Sequence, residues 1–500
     1  MAVEHFDVVI VGAGLSGIGA GYHLKKNCPG KNYVILEGRD AIGGTWDLFR
    51  YPGIRSDSDM YTLGYSFKPW EEAKAIADGP SIRKYVRETA ADNGIDKNIR
   101  FNTLVKRASW SSETATWTVD VEQGAQKVPA RFTCNFLFMA SGYYDYNTGY
   151  VPEFAGVESF TGKIAYPQFW PEDLDYTGKK VVVIGSGATA VTVVPEMAKR
   201  AAHVTMLQRS PTYVVSRPAE DAFANWLRRN LPAKLAYGIT RWRNVLFGMY
   251  FFNMARKKPE QVKKYLINMV RQELGPDYDV NTHFTPHYNP WDQRLCLVPD
   301  ADLFEAIRSG SASVVTDHIE CFTSRGLKLK SGKELEADVV VMATGLKLIM
   351  LGGIEVFVDG EKKDMGQTMS YKGMMYSDVP NMASAFGYTN ASWTLKCDLT
   401  CEYVCRILNH MDRTGAKIAV PHRDASVEEA PWLDFSSGYV QRARDVLPKQ
   451  GSKAPWKLYQ NYALDMMTLR YGKVDDGTLE FTSPRSTAKP APAPEAMAAE

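Results

Sequence analysis

The strongest chemical signals in the chain are two glycine loops and the charges at fixed distances behind them. The first loop, Gly12-Ala13-Gly14-Leu15-Ser16-Gly17, follows the apolar run FDVVIV and precedes a helical pattern. That order is strand, phosphate loop, helix. Gly12 permits the tight turn, Gly14 lets backbone approach a pyrophosphate, and Gly17 lets helix and strand pack closely, with the helix N-terminus facing the phosphates. A second strand, NYVIL, ends at Glu37, twenty residues after Gly17. At that spacing a carboxylate reaches the two ribose hydroxyls of an adenosine. Because Glu37 would repel a 2′-phosphate, the expected dinucleotide is FAD or NAD rather than NADP. The following Gly43-Gly44-Thr45-Trp46 favours FAD, since small residues beside the nucleotide leave room for a bulky ring system.

The second loop, Gly185-Ser186-Gly187-Ala188-Thr189-Ala190-Val191, follows the strand KKVVVIG and opens another helix. Its own second strand, HVTMLQRS, has Gln208 where the first fold has Glu37, followed by Arg209 and Ser210. A guanidinium beside a hydroxyl is a good phosphate receptor. Alone, Arg209 reads as well as a solvated surface charge; its place at the end of this strand favours NADP. A hydrogen bond to a charged group contributes about 1.5–3 kcal/mol, so the preference for NADP over NAD is about ten- to a hundred-fold.

These loops need parallel sheets behind them, and the rest of the chain has the size to supply them. At 500 residues, two or three domains are expected. A net charge of +2 gives no overall attraction to nucleic acid. The seven cysteines are sparse and odd in number, with no Cys-x-x-Cys, which fits a reducing cytosol and argues against a disulfide reductase. No signal peptide is read at the N-terminus, and the expected location is the cytoplasm. The runs FLFMASG and ADVVVMATG are buried strands ending on small residues, each read as a crossing between folds. The fold class is therefore α/β, two interleaved dinucleotide-binding, Rossmann-like domains with a helical insertion. The first is split over 1–143 and 342–484, the second over 150–217 and 288–341, with the insertion at 218–287 and a disordered Pro- and Ala-rich tail at 485–500. From Phe223 to Gly275 eleven Lys or Arg face two Glu, a balance of +9. The uncharged run Asn244 to Ala255 is too short to span a bilayer, which needs about twenty residues. The insertion could lie on an anionic membrane surface, a weak peripheral contact, or roof the active site with its apolar face inward; the roof is favoured. Cys397, Cys401 and Cys405 recur every four residues, a buried helical stripe rather than a metal site.

The set GAGLSG, GGTWDLFRYPGIRSDSD, FTGKIAYPQFWP, GSGATA, QRSP, NPWDQRL, MATG and GYTNASWTL resembles the type I Baeyer–Villiger monooxygenases, and is most similar to their ethionamide-activating subgroup. The resemblance runs from Asp7 to about Thr482. It implies FAD and NADPH as cofactors, with O2 and a small-molecule ketone or sulfur compound as substrates. It also implies that a reduced flavin forms a peroxide at C4a, which attacks the substrate carbonyl. By resemblance Arg294 is the cation that neutralises this anion and Asp57 pairs with it. Arg55, Ser56 and Asp57 match the stretch that touches flavin and nicotinamide, and Val105 matches a position against the adenine of FAD. The family connector carries Phe, Gly, His and Trp; here these are Phe160, Gly162, Tyr166 and Trp170. Trp170 keeps the chain apart from the related N-oxygenating enzymes, whose connector ends in tyrosine. Tyr166 can hydrogen-bond but carries no positive charge near neutral pH. If the family histidine orients the crossing, Tyr166 substitutes, and this is favoured. If it acts by charge, the protein is instead an NADPH oxidase or redox-sensing module.

Overall fold

The structure, a computed structural model, describes residues 3–293 and 295–484. The tail expected at 485–500 and Arg294 lie outside the described residues. The β-branched runs that precede the glycine loops become central strands of two sheets. In the strand Glu4–Val11, Val8, Val9 and Ile10 are fully buried, because helices and other strands cover both faces of a parallel sheet. This strand lies between Tyr33–Leu36 and Val128–Met139, parallel to both. The sheet extends through an antiparallel meander, Thr103–Ser111 and Thr116–Gln123, and reaches nine strands among the described residues. Three of the additions come from far along the chain, one of them the short edge strand Glu361–Lys362. Glu355–Val358 pairs with the meander strand Thr103–Ser111, and Met382–Ser384 pairs with the end of Val128–Met139.

The second sheet has five strands and is parallel throughout. Its order is Ala312–Thr316, His203–Gln208, Lys180–Ile184, Val339–Met342, Lys163–Ala165. The run ADVVVMATG thus ends inside this sheet, beside the strand that leads into the second glycine loop. The aromatic connector is more than a crossing, since its residues Lys163–Ala165 form the edge strand against Val339–Val341. With its own parallel core and crossover helix, Ala188–Ala198, this is a second Rossmann-like unit inserted into the first.

The long helix Trp393–Thr414 lies against Leu15–Asn27, the helix that follows the first loop. Its cysteines 397, 401 and 405 are buried, and Cys397 Sγ lies 3.3 Å from Ser16 Oγ. Burial pushes the Cys397 thiol up to about 12, so it is a packing residue at neutral pH. Among the described residues no His, Cys, Asp and Glu cluster could hold a metal.

The insertion forms Ala222–Asn230, Ala233–Lys257, Pro259–Leu274 and Val280–Phe284, set between two strands, Val214–Arg217 and Cys296–Pro299, that pair with each other. The longest helix is fixed by Arg241, which is almost wholly buried. Its Nη1 donates to the carbonyls of Tyr61 and Gly64, each at 2.8 Å, and Nη2 lies 3.8 Å from Asp398 Oδ2. Asp398 also meets His23 Nε2 at 3.4 Å and accepts from the Ser66 N–H at 2.9 Å. Burial opposes a charge on Asp398, but its hydrogen bond to His23 and the charges of His23 and Arg241 outweigh that cost and hold its carboxyl below the usual range.

Truncating Arg241 to Ala leaves that buried carboxylate short of a partner. The expected loss is about 3–5 kcal/mol, measured as a lower denaturation midpoint of the full chain. Combining Arg241→Met with Asp398→Asn should recover part of it. A midpoint unchanged by Arg241→Ala would show that the helix is anchored elsewhere.

Candidate functional site

A cavity of about 990 Å³ is lined by both glycine loops. The loops reach it through the same device. Gly12 sits at φ +104°, and a Cβ there would stand 2.6 Å from the carbonyl oxygen of Ala140. Gly185 sits at φ +139°, where a Cβ would stand 2.2 Å from the carbonyl oxygen of Ala343. Each turn is therefore pressed against the end of a neighbouring strand, the small-residue ends of FLFMASG and VVVMATG. No side chain fits in that contact.

At the first loop, Gly12, Gly14 and Ser16 line the cavity together with Gly44, Thr45 and Trp46. A Cβ on Gly44 would lie 3.0 Å from Gly14 Cα, so bare backbone from two segments forms the cradle wall. Gly17 does not line it; a Cβ there would strike Gly12 O at 1.8 Å, which makes it the packing glycine. Ser16 is occupied, accepting from Trp393 Nε1 at 2.9 Å. Glu37 is buried at the cavity edge, its oxygens accepting from the N–H groups of Ala13, 2.6 Å, and Arg39, 2.9 Å. Burial pushes its carboxyl up, and these two backbone bonds work against the shift. Thr45 Oγ1 lies 3.2 Å from the Tyr146 hydroxyl, whose pKa burial pushes up to about 12. Val105 differs from expectation. Its side chain is buried in the core with Val9 and Leu36, and its neighbour Leu104 faces the cavity. Strand alternation sends the two side chains to opposite faces.

At the second loop, Gly185, Ser186, Gly187, Ala188 and Thr189 line the cavity, but Ala190 and Val191 do not. Both lie one turn into the helix and point into the core of the second sheet, while Thr192, one position on, returns to the cavity. Arg209 and Ser210 line it as expected, and Ser186 Oγ donates to Ser210 O at 3.1 Å. Gln208 turns its amide away, giving it to His283 O at 2.7 Å and Thr316 Oγ1 at 2.9 Å. His318 and Lys330 join Arg209 here, since Asp317 N donates to Gln208 O at 3.0 Å and Lys330 N to His318 O at 2.8 Å. They follow the strands Ala312–Thr316 and Gly326–Leu329, more than a hundred residues beyond Arg209, so no fixed spacing from the loop could reveal them.

The segment Arg55-Ser56-Asp57 lines the cavity, as does Tyr51. Arg55 is held in a two-pronged ion pair by Asp302 at the start of the helix Asp302–Arg308, a partner the sequence did not disclose. The Ser56 hydroxyl donates to Ser58 O at 2.7 Å. Tyr51 packs on the core of the second sheet and hydrogen-bonds Thr189, so this segment of the first domain reaches the second glycine loop. Burial pushes the Tyr51 phenol up to about 12, and Asp57 adds to the rise. Arg294 lies outside the described residues.

No connector residue lines the cavity. Tyr166 and Phe160 pack beneath the second sheet, and Trp170 packs on that sheet's main core. Gly162 has no room for a side chain, since a Cβ would stand 2.4 Å from the Phe160 ring. One link toward the first domain is Gln168, unrecognised in the sequence, whose Nε2 donates to Asp145 O at 2.6 Å, while Asp145 N donates to Lys347 O at 2.9 Å. The insertion also departs from expectation. No residue of 218–287 lines the cavity; the buried face of its long helix packs on Tyr61 and Tyr65 instead, because Arg241 and Tyr237 are bonded there.

The arrangement fits two dinucleotides. Bare-backbone cradles stand at both loops, a carboxylate at one adenosine end suits free ribose hydroxyls, and a guanidinium, lysine and histidine at the other suit a phosphate.

Residues 6–350 match the flavin-binding monooxygenase-like family. The chain is 55% identical over 491 residues to the FAD-containing monooxygenase EthA of Mycobacterium tuberculosis (strain ATCC 25618 / H37Rv), covering 98% of this chain and 99% of that protein. It is 49% identical over 487 residues to the probable FAD-binding monooxygenase AlmA of Acinetobacter baylyi (strain ATCC 33305 / BD413 / ADP1), covering 97% of each. A solved structure of oxidized steroid monooxygenase bound to NADP is similar in fold, with a TM-score of 0.76 at 21% identity over 96% of this chain and 100% of that one.

Arg209→Gln should weaken binding of adenosine 2′,5′-bisphosphate by about ten- to a hundred-fold, measured by titration calorimetry. Binding of 5′-AMP should hold within about two-fold. Equal losses for both ligands would remove Arg209 from the phosphate end.

Proposed function

The chain belongs to the flavin-binding monooxygenase-like family, and from that premise we propose that it oxidises ketones to esters or lactones, with sulfur compounds as a second substrate class. It is an FAD-containing monooxygenase of the Baeyer–Villiger type and uses NADPH. One observation carries the reading of the site: a single cavity is walled by both glycine loops, with Glu37 and Arg209 both on its lining. Bound FAD supplies the passage of electrons from NADPH to oxygen.

The chain's own residues then have these proposed roles. Gly12, Gly14 and Gly44 let backbone meet the FAD pyrophosphate, and Glu37 takes its ribose hydroxyls. Arg209 and Ser210, with His318 and Lys330, hold the 2′-phosphate of NADPH. Arg55 and Ser56 face the nicotinamide, and Asp302 keeps Arg55 in place. Asp57 orients Arg294, which neutralises the negative charge that develops as oxygen is transferred; the assignment of Arg294 rests on the resemblance of WDQRL. Tyr166 acts through the position of the connector, consistent with its place away from the cavity. The FAD-binding part is assigned to 1–143 and 342–484, the NADP-binding part to 150–217 and 288–341, and the protein to the cytoplasm. Among the described residues no helix is long and apolar enough to cross a membrane.

The deciding measurement is coupling. With a panel of ketones and thioethers, NADPH consumption should track oxygenated product. Hydrogen peroxide in its place, whatever is added, would make the protein an oxidase or redox-sensing module, the reading that Tyr166 leaves open. Arg294→Ala should lower oxygenation by about a hundred-fold or more while flavin reduction by NADPH changes by less than about two-fold. Equal loss of both would remove its role. Tyr166→His should raise oxygenation by less than about ten-fold; a larger gain would mean that charge at this position matters.

A further inference from the structure

The helix Ala233–Lys257 has two unlike long faces. Ala236, Tyr237, Thr240, Arg241 and Val245 are buried. Leu235, Ile239, Trp242, Leu246 and Tyr250 recur at steps of three and four and form a single stripe, about 22 Å long at 1.5 Å per residue. The stripe is open to solvent: Trp242 is 41% exposed, Leu246 58% and Tyr250 64%. Neighbouring segments carry further exposed apolar side chains. Trp226, 54% exposed, stands on the preceding helix, and the Trp242 ring lies 5.9 Å from Tyr462, which begins a segment whose Leu464, Met467 and Tyr471 are also exposed. Scattered exposed apolar side chains need no explanation, but a continuous face of this size marks a surface that meets something apolar.

Charge identifies the partner. Residues 223–275 hold eleven Lys or Arg against two Glu; Arg241 is buried on Asp398, and Arg243 and Arg256 pair with Asp221 and Asp292, so the exposed Arg229, Lys234, Lys257, Lys258 and Lys264 make the basic surface around the stripe. The Arg243 guanidinium lies 4.9 Å from the centre of the Phe223 ring, and that of Arg217 lies 5.1 Å from Phe247. Lys234 and Lys257, both exposed, stand at the two ends of the helix. We propose that this face docks the protein on an anionic lipid surface, with Trp242, Leu246 and Tyr250 entering the acyl boundary and the surrounding bases meeting lipid phosphates. An aromatic and aliphatic face rimmed by Lys and Arg is the composition that lies in such an interface. A second copy fits less well, because a two-fold contact would set the same basic surface against itself. The opposite face is bonded to the core through Arg241, so docking requires no unfolding of the helix.

The test uses the FAD-loaded full chain in vesicle flotation. It should bind vesicles containing about one-third phosphatidylglycerol at least ten-fold more tightly than phosphatidylcholine vesicles, by about the effect of two bases, and the difference should shrink as salt rises from about 0.1 to 0.5 M. The double variant Leu246→Glu, Tyr250→Glu should lose about ten-fold or more of that binding, with NADPH oxidation in vesicle-free buffer unchanged. Lys234→Gln with Lys257→Gln, which leaves the apolar stripe intact, should lose about ten-fold. Equal binding to neutral vesicles, or undiminished binding by either variant, would overturn the proposal. So would a lack of vesicle binding, whether or not sedimentation velocity shows a self-association that Leu246→Glu abolishes; such self-association would assign the face to a second copy.

Discussion

Everything at the cavity depends on two equivalent backbone contacts. In each sheet, the glycine turn after a central parallel strand presses on the carbonyl end of its neighbour, Gly12 on Ala140 and Gly185 on Ala343. A Cβ in either turn would overlap that carbonyl, so the contact tolerates only glycine on one side and favours small residues on the other. Its consequence is geometric: both helices begin at the mouth of one cavity, and the groups proposed to meet a dinucleotide converge there.

Two domains that share a cavity must be held in register, and the chain does this with polar side chains. Tyr51 bonds Thr189, Arg55 is clamped by Asp302, and Gln168 bonds the backbone of Asp145. The first two pairs link residues far apart in the chain, whereas Gln168 reaches back 23 residues, and each pair lies beside a segment assigned to cofactor binding or to the connector. Arg241 serves the insertion in the same way, and the adjacent Asn244 donates to Asp59 Oδ1 at 3.0 Å. The insertion is therefore anchored just behind the Arg55-Ser56-Asp57 segment, although none of it lines the cavity. Its outward apolar face and its buried cationic anchor belong to one helix.

The differences between sequence and structure share a physical origin. Glycine loops, the Glu37 spacing and the strand-end motifs are local, set by a few consecutive residues and by the fixed rise of strand and helix, and they were legible. Val105, Ala190 and Val191 were placed at the site by motif position, yet strand alternation and helical turn direct them into the cores. Leu104 and Thr192, one residue away from two of them, face the cavity. A motif places a backbone; the neighbouring elements decide which side chain of that backbone faces the ligand.

By itself the sequence determined two glycine turns, a carboxylate behind one and a guanidinium behind the other, and an α/β fold with one unit inserted in the other, because each follows from local spacing and from covalent order. Only the tertiary structure decided which distant residues complete the site: Asp302 behind Arg55, Lys330 and His318 beside Arg209, Trp393 on Ser16. It also turned the insertion's apolar stripe outward. Those outcomes depend on how separate elements pack, where a buried charge such as Arg241 must find partners wherever the fold supplies them, and no spacing along the chain encodes that distance.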